Sequence, residues 1–322
     1  AAYVLDTSTS GRAVLTVTAP TGLTDVGGPL SIGSFTAQVP ANAPYAGKHV
    51  LDITDLRVLD NSPVPAERPA IDDDAIHVAA FFGDTSGDRA YNSPDASLVR
   101  RVIGQVHTGF SAYQLADPVL IADITLNGLI QSNDTTNIRR ASGQVTVPNI
   151  PPLPSVTTPP EASGADPRIF IPRDLVGAPG ETVTVPVRIE VTEPAGLTIG
   201  GLDVVLEFDP ARFTVSQAKL GDLFLGTDVS GTMTQPAPGQ LIYTADSLVG
   251  TSRFPAGTVD DLLTLTVSIG AGAAPGPAAW NLLASLGPSR TGVSDAAVAV
   301  LVLHPPLTNA SGDAGDGLLL VA

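Results

Sequence analysis

A mainly β fold is predicted, built of β-sandwiches with a small α-helical module between them, and three observations predict it. Short β-branched runs punctuated by turn residues fill positions 1–80 and 167–322. Glycine and proline number 32 and 29 of 322 residues, while aromatics make up 5% and charged residues 15%, a balance that suits short strands and frequent turns. Between the two β regions, from Gly83 to Gly143, the pattern changes to two copies of an Asp/Asn-rich loop, each followed by a segment ending in Arg-Arg.

Strands are expected over 12–18, 30–39, 49–59 and 75–80 in the first region, with a loop at 61–65 and a solvated acidic turn at Asp72-Asp73-Asp74. In the last region they are expected over 168–171, 182–191, 201–208, 213–219, 240–245, 261–269, 280–284, 296–303 and 317–321. Period-two alternation puts Val183, Val185 and Val187 on one face, and Leu202, Val204, Leu206 and Phe208 on another. Residues 147–166 are proline-rich and read as an extended linker that separates domains without collapsing onto them.

The duplicated segment carries the chemistry. Overlaid, Asp84 meets Asp123, Asp88 meets Asn127 and Asp95 meets Asp134. Oxygen-bearing side chains fall at positions 1, 3, 5, 9 and 12 of each loop, the spacing of an EF-hand-type calcium loop, whose seventh residue contributes a backbone carbonyl. The candidate ligands are Asp84, Ser86, Asp88, Ala90 (carbonyl), Asn92 and Asp95 in the first loop. In the second they are Asp123, Thr125, Asn127, Leu129 (carbonyl), Gln131 and Asp134. Two calcium ions are therefore expected. Position 6 needs a left-handed backbone, which Gly128 supplies freely and Arg89 only with strain. A helix should follow each loop. The first has Ser93 as cap, Pro94 in the first turn, a stripe of Leu98, Val99, Val102 and Ile103, cationic Arg100 and Arg101 in the last turn, and Gly104 as stop. Asp117-Pro118 should open a short helix over 119–122.

This duplicated pattern resembles a dockerin. The resemblance implies binding to cohesin domains through the two helices, with contacts from loop positions 10 and 11, here Ser93-Pro94 and Ser132-Asn133. The last region resembles a cohesin, on Gly177-Ala178-Pro179-Gly180-Glu181-Thr182-Val183, Ile199-Gly200-Gly201-Leu202-Asp203-Val204, Leu220-Gly221-Asp222-Leu223-Phe224 and Leu262-Leu263-Thr264-Leu265. That resemblance implies a nine-stranded jelly-roll sandwich without a catalytic site, in an extracellular or cell-surface scaffold. Residues 12–80 also follow the plan of 240–322: 12–18 echoes 240–245, 30–39 echoes 259–269, Ala43-Pro44 echoes Ala274-Pro275, and 74–79 echoes 316–321. The expected domains are a partial cohesin-like sandwich without front strands (1–80), the dockerin-like module (81–146), the linker (147–166) and a complete cohesin-like sandwich (167–322).

Net charge of −16 argues against nucleic acid or an anionic membrane as partner. Cysteine is absent, which excludes disulfides and thiolate metal sites, and no apolar run is long enough to span a bilayer. The Ala-Ala opening reads as a mature chain after signal removal or as a piece of a longer one. His49, His77, His107 and His304 show no metal spacing, and no nucleophile elbow, phosphate loop or dinucleotide fingerprint occurs. Trp280 and Tyr243 are read as core residues, with a sugar site as the alternative. The expected function is therefore a non-catalytic, calcium-binding assembly protein that builds fibres head to tail by strand complementation or module docking. The expected partners are other copies of itself, cohesin- or dockerin-bearing proteins, and polysaccharide as a further candidate. The alternative is a fragment of a large cell-surface adhesin or the accessory region of a polysaccharide-degrading enzyme.

Overall fold

The computed structural model describes residues 2–19, 34, 36, 43, 47–71, 75–153, 166–248 and 252–322. It divides into two compact units, Ala1–Ala79 and Ala80–Ala322. Both are built mainly of β-strands.

In the first unit β1 (Ala2–Asp6) pairs antiparallel with β2 (Val14–Thr18). β3 (Lys48–Leu51), β4 (Val58–Leu59), β5 (Glu67–Arg68) and β6 (Ala75–Val78) form two further antiparallel pairs, β3 with β6 and β4 with β5. The strand expected over 49–59 is broken at 52–57, where Asp52 and Asp55, poor strand formers, interrupt the run. Most of the 30–39 strand and the acidic turn at 72–74 lie outside the described residues. His49 and His77 face each other across β3 and β6, with ring centroids 6.2 Å apart.

The second unit opens with α1 (Ser93–Ile103), α2 (Val119–Ala122) and α3 (Ser132–Ser142). Asp117 does start the short α2, its carboxylate accepting the Val119 N–H at 2.9 Å. The first cap is corrected by one residue. Asn92, not Ser93, is the N-cap of α1, because Asp95 reaches back to the Asn92 N–H at 3.0 Å and so closes the turn there. The linker is corrected at its start. Tyr91 Oη–H donates to the Pro151 carbonyl and Asn149 Nδ2–H to the Ile124 carbonyl, both at 2.8 Å, and Val147 is buried. Proline lacks an N–H to donate, but its carbonyl still accepts, so a proline-rich strand can be strapped down by its neighbours.

The sandwich follows. One sheet, among the described residues, runs β12 (Ser230–Thr234), β13 (Gln240–Asp246), β10 (Leu197–Phe208), β16 (Gly276–Leu282), β20 (Gly317–Val321) and β8 (Leu175–Gly177). Two short strands, β14 (Ser252–Phe254) and β19 (Gly292–Asp295), also pair with β10, and β17 (Ser285–Leu286) and β18 (Ser289–Arg290) form a small hairpin of their own. The facing sheet runs β11 (Phe213–Leu220), β15 (Val259–Ile269), β9 (Thr182–Glu190) and β7 (Arg168–Phe170). Between them lie the inward faces named from periodicity, Val185 and Val187 of β9 with Leu202, Val204, Leu206 and Phe208 of β10. Trp280 stacks on Phe208 with centroids 4.8 Å apart, and both Trp280 and Tyr243 belong to this core.

The strand expected over 296–303 is not formed. Asp295 Oδ1 accepts the N–H groups of Ala297 and Ala299 at 2.8 and 2.9 Å, and Val298 takes φ 69°, so the chain turns there. The strand lies upstream instead, as β19. β8, β12 and β14 were not anticipated, since each is short and carries little alternation.

Candidate metal loops and the helix seat

The two loops share four backbone-to-side-chain hydrogen bonds. The position-3 N–H donates to the position-12 carboxylate in both: Ser86 to Asp95 and Thr125 to Asp134, each at 2.8 Å. The position-6 N–H reaches the position-1 carboxylate, Arg89 to Asp84 at 2.9 Å and Gly128 to Asp123 at 2.6 Å. The position-7 N–H reaches position 5, Ala90 to Asp88 at 2.8 Å and Leu129 to Asn127 at 2.9 Å. The position-9 N–H returns to position 12, Asn92 to Asp95 at 3.0 Å and Gln131 to Asp134 at 2.7 Å. These bonds turn alternate side chains inward. They also require the left-handed backbone expected at position 6, φ 64° at Arg89 and 83° at Gly128.

In the first loop Asp84, Asp88 and Asp95 bring carboxylate oxygens within 4.8 Å of one another. Asp84 and Asp95 are fully buried. Burial, together with the charges of Asp84 and Asp88, pushes the Asp95 carboxyl well above its usual range. Asn92 Nδ2 donates to Asp88 at 2.6 Å, yet the buried Asn92 Oδ1 accepts no hydrogen bond. An orphaned acceptor beside converging carboxylates suits a hard cation, so the residues present fit calcium. In the second loop only Asp123 and Asp134 carry charge. Burial raises Asp123, but backbone N–H groups of Gly128 and Asn127 outweigh it and hold the carboxyl below its ordinary value.

The helices following these loops lie on the outer face of β10 and β13. Ser93, loop position 10, donates to Asp203 Oδ2 through N–H at 2.9 Å and through Oγ–H at 2.7 Å. Burial raises the Asp203 carboxyl to about 7, against the lowering effect of those Ser93 bonds. Arg100 Nη1 donates to both the carbonyl and Oδ2 of Asp246 at 3.0 Å, Arg100 Nη2 meets Asp228 at 3.3 Å, and Arg139 donates to Asp246 Oδ1. Asp246 itself is completely buried. Arg101 caps the Ala296 carbonyl at 2.7 Å. At the end of α3, Ser142 donates to Thr244 at 3.0 Å, Thr234 to the Gly143 carbonyl at 2.8 Å, and Gln144 to the Leu286 carbonyl. The corresponding contact pair of the second loop, Ser132-Asn133, is exposed.

The glycines ending the helices have a different reason from the one expected. Gly104 and Gly143 keep negative φ, and the left-handed residues are Gln105 and Gln144, at 57° and 58°. A Cβ on Gly143 would lie 2.5 Å from Thr234 Oγ1. Glycine is needed there for close approach to β12. Sequence reasoning assigned the arginines to the helix dipole and did not find Asp203, Asp246 or Thr244. The available signal was the polar Asp203, Thr244 and Asp246 at outward positions of otherwise apolar strands, beside an outward apolar pair, Val205 and Ile242.

A cohesin domain family model matches residues 169–300. Among solved structures, a type I cohesin–dockerin complex from Clostridium thermocellum is 18% identical, covering 49% of this chain and 99% of that one with a TM-score of 0.38. The sixth cohesin of Acetivibrio cellulolyticus scaffoldin B, in complex with a dockerin, is 17% identical over 49% and 99%, also at 0.38. A non-cellulosomal cohesin from Archaeoglobus fulgidus is 14% identical over 49% and 92%, at 0.35. No curated protein matches. The family match gives residues 169–300 a non-catalytic protein-interaction or scaffold role. It does not extend to the paired loops, whose reading rests on their own geometry.

Proposed function

We propose that this chain is a non-catalytic, calcium-ordered scaffold protein of the extracellular space or cell surface, whose paired loops bind calcium and hold a helix pair against a cohesin-type sandwich. The observation that carries this reading is the first loop, where three carboxylates converge within 4.8 Å of one another beside Asn92, which meets Asp88 through Nδ2 and keeps its buried Oδ1 unpaired. Calcium would be held by Asp84, Ser86, Asp88, the Ala90 carbonyl, Asn92 and Asp95. When bound it supplies positive charge that relieves the repulsion now raising Asp95. The second site, with Asp123, Thr125, Asn127, the Leu129 carbonyl, Gln131 and Asp134, has two carboxylates and is the weaker one.

The loop bonds position Asn92 and Ser93, and Ser93 is the first contact with the sandwich. Calcium binding and helix seating are therefore coupled. The seat joins one helix pair to one sheet face, so the same contact made between chains links copies, or links cohesin- and dockerin-bearing partners, head to tail. Strand complementation at the first unit is a second route to assembly. Trp280 and Tyr243 are enclosed in the core and offer no sugar-binding surface, and no helix among the described residues is long and apolar enough to cross a membrane.

Calorimetric calcium titration tests the reading, with hydrogen exchange followed over 83–143. Two unequal sites are expected, and the double substitution Asp84→Ala with Asp123→Ala should abolish binding heat and loosen α1 and α3. At calcium one hundred times Kd each site should stabilise the seated form by about 2.7 kcal/mol. Absence of binding heat, or identical exchange with and without chelator, would refute it.

A further inference from the structure

The helix seat is built like a contact between separate molecules rather than like a domain core. Its bonds are polar and charged: Ser93 to Asp203, Arg100 and Arg139 to Asp246, Arg101 to the Ala296 carbonyl, Ser142 to Thr244. Its apolar part is small. Val205, Ile242 and Leu283 form a cluster apart from the sandwich core, with Leu286 packed against it. Val205 and Ile242 point away from that core, yet they are only 0% and 1% exposed, on the face where α1 lies against β10 and β13 and α3 against β13. A small apolar centre with polar surroundings is the make-up of a releasable interface, whether within a chain or between chains.

That face holds one helix pair at a time. Asp203 Oδ2 already accepts both the N–H and the Oγ–H of Ser93, and the two oxygens of Asp246 are divided between Arg139 and Arg100. The backbones also approach closely, since a Cβ on Gly201 of β10 would lie 2.6 Å from Ser93 Oγ. The seated pair is tethered as well. Leu153 and Asp166, within the linker, are 13 residues apart, a path of at most about 45 Å. A tether that short keeps a lifted pair near its own face at an effective concentration of about 1 mM.

We infer that the outer face of β10 and β13 is a docking surface for the helix pair of a second copy, closed in each chain by its own α1 and α3 and opened only when that pair lifts. The occupant is a second copy because its pair carries the same Ser93, Arg100, Arg101, Arg139 and Ser142 and meets the same acceptors. Linking is therefore an exchange, in which one chain's pair leaves its own face and takes another's. The intrachain contact is the brake on it. For a contact of micromolar Kd, an effective concentration of about 1 mM leaves about one chain in a thousand open, which weakens docking from outside about a thousandfold. The bonds made are the same in both forms, so protein concentration decides between them. This rests on the reading of the sandwich as a helix-docking scaffold and adds that its face is shut in the resting chain.

The test mixes variants of the whole chain at saturating calcium and sizes them by native mass spectrometry. Arg100→Glu with Arg139→Glu gives a chain whose helices cannot seat and whose face is free. Asp203→Arg with Thr244→Arg gives a chain whose face is blocked and whose helices are free. All four positions meet water once the helices lift, and the fluorescence of Trp280 in the core checks that each sandwich is folded. The two variants should form a one-to-one complex, and the free-face variant should bind wild type about a thousandfold more weakly. Gly143→Leu, which meets Thr234 without backbone strain at φ −82°, can replace the first variant and Thr234→Trp the second, with the same outcome expected. No complex from either pair of variants, or equally tight binding to wild type, would overturn the inference while leaving the seat intact, provided that α1 and α3 stay protected from hydrogen exchange in the wild type. Wild-type helices that exchange as fast as those of the free-face variant would overturn it together with the seat itself.

Discussion

Removing the two arginines that meet Asp246 tests whether the helix seat is held by a buried charge cluster. Asp246 is wholly enclosed, while the Arg100 and Arg139 side chains keep 23% and 17% of their surface. Arg139→Ala leaves Asp246 paired with Arg100, so the loss is that of one charge-assisted contact, about 1.5 kcal/mol given the partial exposure of the donor. Arg100→Ala costs a similar amount, because its second contact, to Asp228, is more exposed. The double variant leaves a buried carboxylate with no counter-charge, which costs about 3–5 kcal/mol. The cycle should therefore be non-additive, with the double variant about 1 kcal/mol worse than the sum. Hydrogen exchange at α1 and α3 amides reads opening of the seat, and the fluorescence of Trp280, the single tryptophan, reads unfolding of the sandwich separately. Strict additivity, or a double variant that loses less than about 1 kcal/mol, would show that water reaches Asp246 and would refute the buried-cluster account.

Gly143→Ala should weaken the seat by about 1–3 kcal/mol through the clash with Thr234, and adding Thr234→Ala should recover part of it; exchange at α3 measures both. Seating should also depend on pH through Asp203. Its carboxyl sits near 7 when buried under Ser93 and returns to an ordinary carboxylate value when the helices lift. Below pH 7 the seated form holds a proton that the open form lacks. The seat therefore strengthens as pH falls from 7.5 to 5.5 at saturating calcium, by up to about 1.4 kcal/mol per pH unit, and weakens as pH rises. Asp203→Asn should flatten that slope in the same exchange measurement, and a slope of opposite sign would exclude Asp203 as its source.

What the sequence determined by itself is local. Each candidate metal loop closes its bonds within twelve residues, so the duplicated Asp84–Asp95 and Asp123–Asp134 patterns were legible before any fold, including the left-handed turn at Arg89. The helices after the loops and the core faces of β9 and β10 were legible for the same reason, since periodicity reports on neighbours along one strand or helix.

Tertiary structure decided what lies against what. Ser93 finds Asp203 110 residues away, and Arg100 finds Asp246 at 146. Period-two alternation says that Asp203 and Thr244 point away from the core but not that a helix covers them. It likewise reads Gly143 as a helix stop, when the backbone there must pass close to Thr234. It cannot tell that Asp295 will bend its strand into a turn rather than extend it. Alternation records which side of an element meets apolar matter, whereas the partner on the other side is chosen by shape and charge between segments that meet only after the chain has folded.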